Sequence, residues 1–121
     1  MTLIGISYTT YQCLAAAKIL EPKGYSVEVI DLLSLSPLDE DAILSSVKKT
    51  RKVVIVDEDY PKCSMASELS ALIAEQAFDF LDSPPIRLTA PHASVPYSPV
   101  LEEQYIPSPS KIAESALSLL E

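Results

Sequence analysis

Four β-branched residues stand in a row, Val53-Val54-Ile55-Val56, and run straight into three acids, Asp57-Glu58-Asp59. Such side chains lose rotamer freedom in a helix and pack well on a pleated surface. The run is apolar at every position, not at alternate ones, so the strand it predicts is covered on both faces. That is the signature of a central strand in a parallel sheet. Parallel neighbours need crossover connections, normally helices. One tetrapeptide thus commits the chain to an α/β architecture and asks the flanking segments for both strands and helices.

They supply them. Residues 2–7 (TLIGIS) are a short apolar run, a candidate buried strand. Thr9 and Thr10 can cap the Ala- and Leu-rich helix over residues 10–20, which Pro22 and Gly24 end. Residues 26–31 (SVEVID) alternate and read as a second strand. In SPLDEDAILSSVKKT, residues 36–50, Ser36 is a candidate cap with Pro37 at the first helical position. Asp39, Glu40 and Asp41 lie in its first turns and Lys48 and Lys49 in its last, which complements the helix dipole at both ends. Ser64 can cap a helix over residues 65–77, with Leu69, Leu72 and Ile73 on its core face. Residues 86–89 form a short fourth strand. Residues 91–109 hold five of the ten prolines and read as an extended, surface-hugging arm. Residues 110–120 close the chain as a helix with Ile112, Ala116, Leu119 and Leu120 on one face. The order βαβαβαβ, arm, α predicts a three-layer sandwich, a mainly parallel sheet with helices on both faces, in one domain spanning residues 1–121.

Charge and cysteine usage narrow the partners. The formal net charge of −8 argues against nucleic acid and anionic membranes, both of which need clustered Lys and Arg, and suits a basic protein partner. Cys13 and Cys63 are too few for a disulfide framework and read as reduced thiols in a cytosol-like compartment. No apolar run reaches the ~18 residues of a membrane span. Met1 leads almost directly into the first strand, an unusual start for a natural domain, so the chain is expected to be a fragment of a longer one.

The search for chemistry returns little. With only Gly5 and Gly24, the chain has no Gly-rich phosphate loop. It has no nucleophile elbow and no Cys or His pair at metal spacing. His92, the single histidine, sits in a proline-rich loop without a visible partner and reads as a surface or interface residue. Asp57-Glu58-Asp59 stand where phosphoryl-transfer receiver domains hold Mg²⁺, but the acid pair and the lysine that such a site needs are Ser7-Tyr8 and Pro91 here. The three acids are expected to end the strand and face a neighbouring subunit or solvent.

Residues 24–50 (GYSVEVIDLLSLSPLDEDAILSSVKKT), 53–61 (VVIVDEDYP), 74–91 (AEQAFDFLDSPPIRLTAP) and 95–112 (VPYSPVLEEQYIPSPSKI) carry a family likeness. Through them the chain resembles the C-terminal domain of the transketolase superfamily. More narrowly, it is similar to the beta subunit of the thiamine-diphosphate-dependent dehydrogenase component of 2-oxo acid dehydrogenase complexes (pyruvate or 2-oxoisovalerate type). Two departures stand out: Cys63-Ser64-Met65 replaces a glycine-rich turn, and His92 stands where the family often has Asp. The resemblance implies a parent enzyme, cytoplasmic or in an organelle matrix, that decarboxylates a 2-oxo acid on thiamine diphosphate and Mg²⁺ and acylates a lipoyl group. It places the cofactor sites outside this domain, so no catalytic, cofactor or metal residue is expected here and the domain alone is expected to be inactive. It implies two roles: association of alpha and beta subunits, and docking of the subunit-binding domain of the dihydrolipoyl acyltransferase. The docking positions it carries over are Asp82 and the terminal carboxylate on Glu121. Without the resemblance, Asp82 in Asp-Ser-Pro-Pro is a plain turn residue. The alternatives are a stand-alone α/β binding or regulatory module, and a fragment of transketolase or deoxyxylulose phosphate synthase.

Overall fold

A computed structural model describes residues 1–120. Its sheet has four strands, β1 (Thr2–Ile6), β2 (Glu28–Leu32), β3 (Val53–Val56) and β4 (Ile86–Leu88), all parallel and ordered β2-β1-β3-β4. The tetrapeptide sits where its composition demands: β3 is buried at all four positions, between β1 and β4. Its register sets Val53 against Thr2 and Val54 against both Leu3 and Ile86.

Helices cover both faces. On one face, α1 (Tyr8–Leu20) and α5 (Pro109–Leu120) bury Cys13, Ala16, Leu20, Ile112 and Ala116 with Leu3, Val54 and Val56. On the other, α2 (Glu40–Thr50) and α3 (Met65–Ala77) bury Ile43, Val47, Leu69 and Ile73 with Ile4, Val53 and Ile55. The right-handed rule for parallel crossovers accounts for this division. From β1 to β2 the chain steps one way across the sheet. From β2 to β3 and from β3 to β4 it steps the other way, so α2 and α3 fall on the opposite side from α1.

Three local expectations are corrected. Helix α2 begins at Glu40, not near Pro37, because Asp39 is the cap: its Oδ1 accepts the Ala42 N–H at 3.0 Å. This start puts Leu38 just before the cap and Ile43 four residues into the helix, in the same apolar cluster, the arrangement of a hydrophobic staple. Helix α1 begins at Tyr8 without a side-chain cap, since Thr9 and Thr10 are turned to other partners. The proline-rich arm contains a helix, α4 (Pro99–Tyr105), in which Pro99 takes a first-turn position that has no amide to lose.

Two features fix how close α1 lies to the sheet. A Cβ on Gly5 would come within 2.5 Å of Thr10 Cα and 2.7 Å of Thr10 N, so only glycine admits the helix there. Gly24, at φ 85°, closes the 3₁₀ turn Glu21–Lys23 that ends α1, a left-handed position at which L side chains are strained.

Candidate functional site

The strand order reverses between β1 and β3, and in open α/β sheets ligands bind in the crevice outside the carboxyl ends of such a pair. Here the floor of the crevice is knit together by protein groups. Thr9, fully buried, accepts the Ile6 N–H at 2.8 Å and offers its hydroxyl to the Ile6 and Val56 carbonyls at 2.9 and 2.8 Å. The hydroxyl expected to cap a helix instead stitches the ends of the two strands together.

Asp57 adds a link to this floor and corrects the reading of the acid triplet. It does not face solvent or a neighbour; only 4% of its surface is exposed. Its Oδ1 accepts the Asp59 N–H at 3.1 Å and its Oδ2 the Ala66 N–H at 3.2 Å. The carboxylate therefore joins the end of β3 to the first turn of α3, where the helix dipole favours a negative charge. Ser64 takes the next amide, that of Ser67, as the sequence predicts. Glu58 and Asp59 are exposed, as expected. Cys63 lies in the same turn at φ 55°, a conformation that glycine adopts without strain.

Above this floor lies an open cleft of about 700 Å³. Tyr8 and Gln12 line it from α1, Glu58 from the turn after β3, and Pro99, Glu102 and Glu103 from α4. It offers three carboxylates and a phenol, with no basic side chain or thiol among its lining residues. The arm beside it is pinned by Tyr105, whose hydroxyl donates to the Ala93 carbonyl at 3.0 Å. Desolvation, with the neighbouring Tyr60 and Asp59, pushes the Tyr105 phenol above its ordinary range. His92 stacks at a tilt on Tyr60, ring centroids 5.2 Å apart.

The residues of this chain do not fit thiamine diphosphate or Mg²⁺. A diphosphate needs free backbone N–H groups at a helix start. Those of α3 are taken by Asp57 and Ser64, and the glycine of β1 lies under Thr10. No three His, Cys, Asp or Glu side chains converge on a metal position among the described residues. Both cysteines are free thiols. Burial pushes the Cys13 thiol up to about 12, so it stays protonated, while Cys63 is exposed.

Asp82 stands at the opposite end of the molecule's strands, after the 3₁₀ turn Phe78–Phe80. Its amide donates to the Arg51 carbonyl at 3.0 Å. Its Oδ1 receives Arg51 Nη2 at 2.7 Å and Nε at 2.9 Å. The guanidinium holds the carboxyl below its ordinary range. Arg51 closes α2 in the left-handed region, at φ 65°, and that turn of the backbone directs it to a carboxylate 31 residues away. Sequence reading missed this partner, since nothing near Arg51 marks it. Glu121, the other carried-over position, lies outside the described residues.

Against known proteins, residues 1–112 match the family model described as transketolase, C-terminal domain. The chain is 49% identical to the beta subunit of acetoin:2,6-dichlorophenolindophenol oxidoreductase of Bacillus subtilis, over 99% of this chain and 35% of that subunit. It is 40% identical to the pyruvate dehydrogenase E1 component subunit beta of Mesostigma viride, over 99% of this chain and 37% of that one. It spans roughly a third of these relatives' lengths. A solved structure described as a split-gene transketolase, inactive beta4 tetramer, shares the fold with a TM-score of 0.81 and 24% identity, over 98% of this chain and 38% of that one. The parallel sheet and this match along nearly the whole chain agree with the resemblance carried by its segments: the chain belongs to the transketolase C-terminal domain family, and its relatives include beta subunits of the pyruvate dehydrogenase E1 component and of acetoin:2,6-dichlorophenolindophenol oxidoreductase.

Proposed function

We propose that this chain is the C-terminal module of the beta subunit of a thiamine-diphosphate-dependent dehydrogenase component, and that it serves assembly and docking, not chemistry. The floor of the crevice supports the reading: Thr9 and Asp57 spend their polar atoms on protein groups at the ends of β1 and β3 and at the start of α3. The parent would act on a 2-oxo acid such as pyruvate, or on acetoin. The 49% identity to the Bacillus subtilis acetoin subunit favours acetoin. Its partners would be the alpha and beta subunits of that component and the subunit-binding domain of a dihydrolipoyl acyltransferase. The compartment would be the cytoplasm, or an organelle matrix in a eukaryote.

Docking would use Asp82, an exposed carboxylate in a chain of net charge −8, as acceptor for an Arg or Lys of the acyltransferase domain. The test is a biosensor titration of this chain with an isolated acyltransferase subunit-binding domain. Binding should weaken about tenfold or more between 50 and 300 mM salt, and Asp82→Asn should weaken it by a similar factor at low salt. Absence of binding at low salt, or an Asp82→Asn chain that binds like the wild type, would remove docking from the proposal.

A further inference from the structure

We propose that Arg51 is an internal competitor at the docking carboxylate, occupying Asp82 in the free chain and weakening the capture of a cationic partner. The inference rests on the docking role proposed for Asp82. Three observations carry it.

The first is geometric. Both guanidinium contacts, 2.9 Å from Nε and 2.7 Å from Nη2, fall on Oδ1. They form a one-oxygen pair, not the two-oxygen fork that would saturate the carboxylate. Oδ2 carries no hydrogen bond among the described residues, so an incoming base has a place to begin.

The second is exposure. The two side chains are 52% and 42% exposed, so water screens the pair and the pair can open. Opening does not disturb the backbone, because the bond from the Asp82 amide to the Arg51 carbonyl is independent of either side chain.

The third is the local field. Lys48, Lys49, Arg51 and Lys52 are four of the chain's nine cations within five positions. Lys49 is paired with Glu28 at 3.3 Å, but Lys48 lies over the Phe80 ring, 5.3 Å from its centroid, and the Lys52 charge adds a minor pull on the Asp82 carboxyl. A cationic partner drawn by the acidic chain as a whole thus meets its most basic corner at the carboxylate. A second cation placed on Oδ2 would lie roughly 5 Å from the guanidinium, where like-charge repulsion in a water-screened setting corresponds to about a fourfold loss of affinity, and more where water is excluded.

The test uses this chain and the isolated subunit-binding domain of a dihydrolipoyl acyltransferase at 50 mM salt, with thermal melts showing each variant folded. Arg51→Gln should bind roughly three- to tenfold tighter than wild type, mainly through faster association, because the repulsive charge acts during approach. Arg51→Lys should bind within about twofold of wild type. Asp82→Asn should weaken binding about tenfold in both the wild-type and the Arg51→Gln backgrounds. If Asp82→Asn weakens binding while Arg51→Gln binds equally or more weakly, Arg51 positions the carboxylate and does not compete for it; that overturns the inference and leaves docking standing. If neither wild type nor Arg51→Gln binds, or Asp82→Asn changes nothing, docking at Asp82 falls and the competition falls with it.

Discussion

Gly5→Ala is expected to destabilise the chain by about 3 kcal/mol and to lower Tm by roughly 10 °C or more. The added methyl would lie 2.5 Å from Thr10 Cα and 2.7 Å from its nitrogen. Both are backbone atoms of α1, so no side chain can swing away. The helix has to lift from the sheet, and two links go with it. Thr10 Oγ1 donates to Asp31 Oδ1 at 2.9 Å and ties α1 to the end of β2. Thr9 ties it to β3. Lifting α1 also loosens Cys13, Ala16 and Leu20 from Leu3 and Val54. Chemical or thermal unfolding of the variant checks this; a loss under about 1 kcal/mol would mean the helix sits farther from the strand than described here.

Asp57→Ala should cost about 2–4 kcal/mol. The change leaves the buried amide of Ala66 without its acceptor, at about 1–3 kcal/mol, and the part-buried amide of Asp59 as well, at a smaller cost. Asp57→Asn keeps one accepting oxygen but turns an NH₂ toward the other amide, so it should fall between Ala and wild type. Glu58→Gln, one residue on and exposed, should lie within about 0.5 kcal/mol of wild type. Urea unfolding of the three variants reads the contrast. Equal, small effects at 57 and 58 would return Asp57 to the surface, and with it the expectation that it serves a ligand or a partner.

The contrast between Asp57 and Glu58 shows where sequence reading stops. The Val-Val-Ile-Val run specifies a central strand because its composition admits little else, and α2 and α3 were legible from their acids, lysines and Ser64. The fate of a carboxylate at a strand end was not. Whether it meets a metal, solvent or a helix start depends on where the chain returns nine residues later, at Ala66. For α4 the signal was present but ambiguous, since Pro99 both breaks a preceding element and opens a following one. Its exposed Val100 and Leu101 gave no buried stripe to reveal it.

The Asp82 end divides in the same way. Asp82 came from a family likeness in its own segment, whereas Arg51 came only from the fold, through a left-handed residue at the end of α2. A likeness indicates which carboxylate to watch; the pairing shows what already holds it.

On the proposed reading this module leaves chemistry to other domains of a longer subunit, and Thr9 and Asp57 at the strand ends serve the fold. Calorimetric titration of the chain with thiamine diphosphate in excess Mg²⁺ tests it most directly. Heats of dilution alone are expected up to millimolar cofactor. Saturable binding in the micromolar range, lost on mutation of a residue at the ends of β1 or β3, would contradict it.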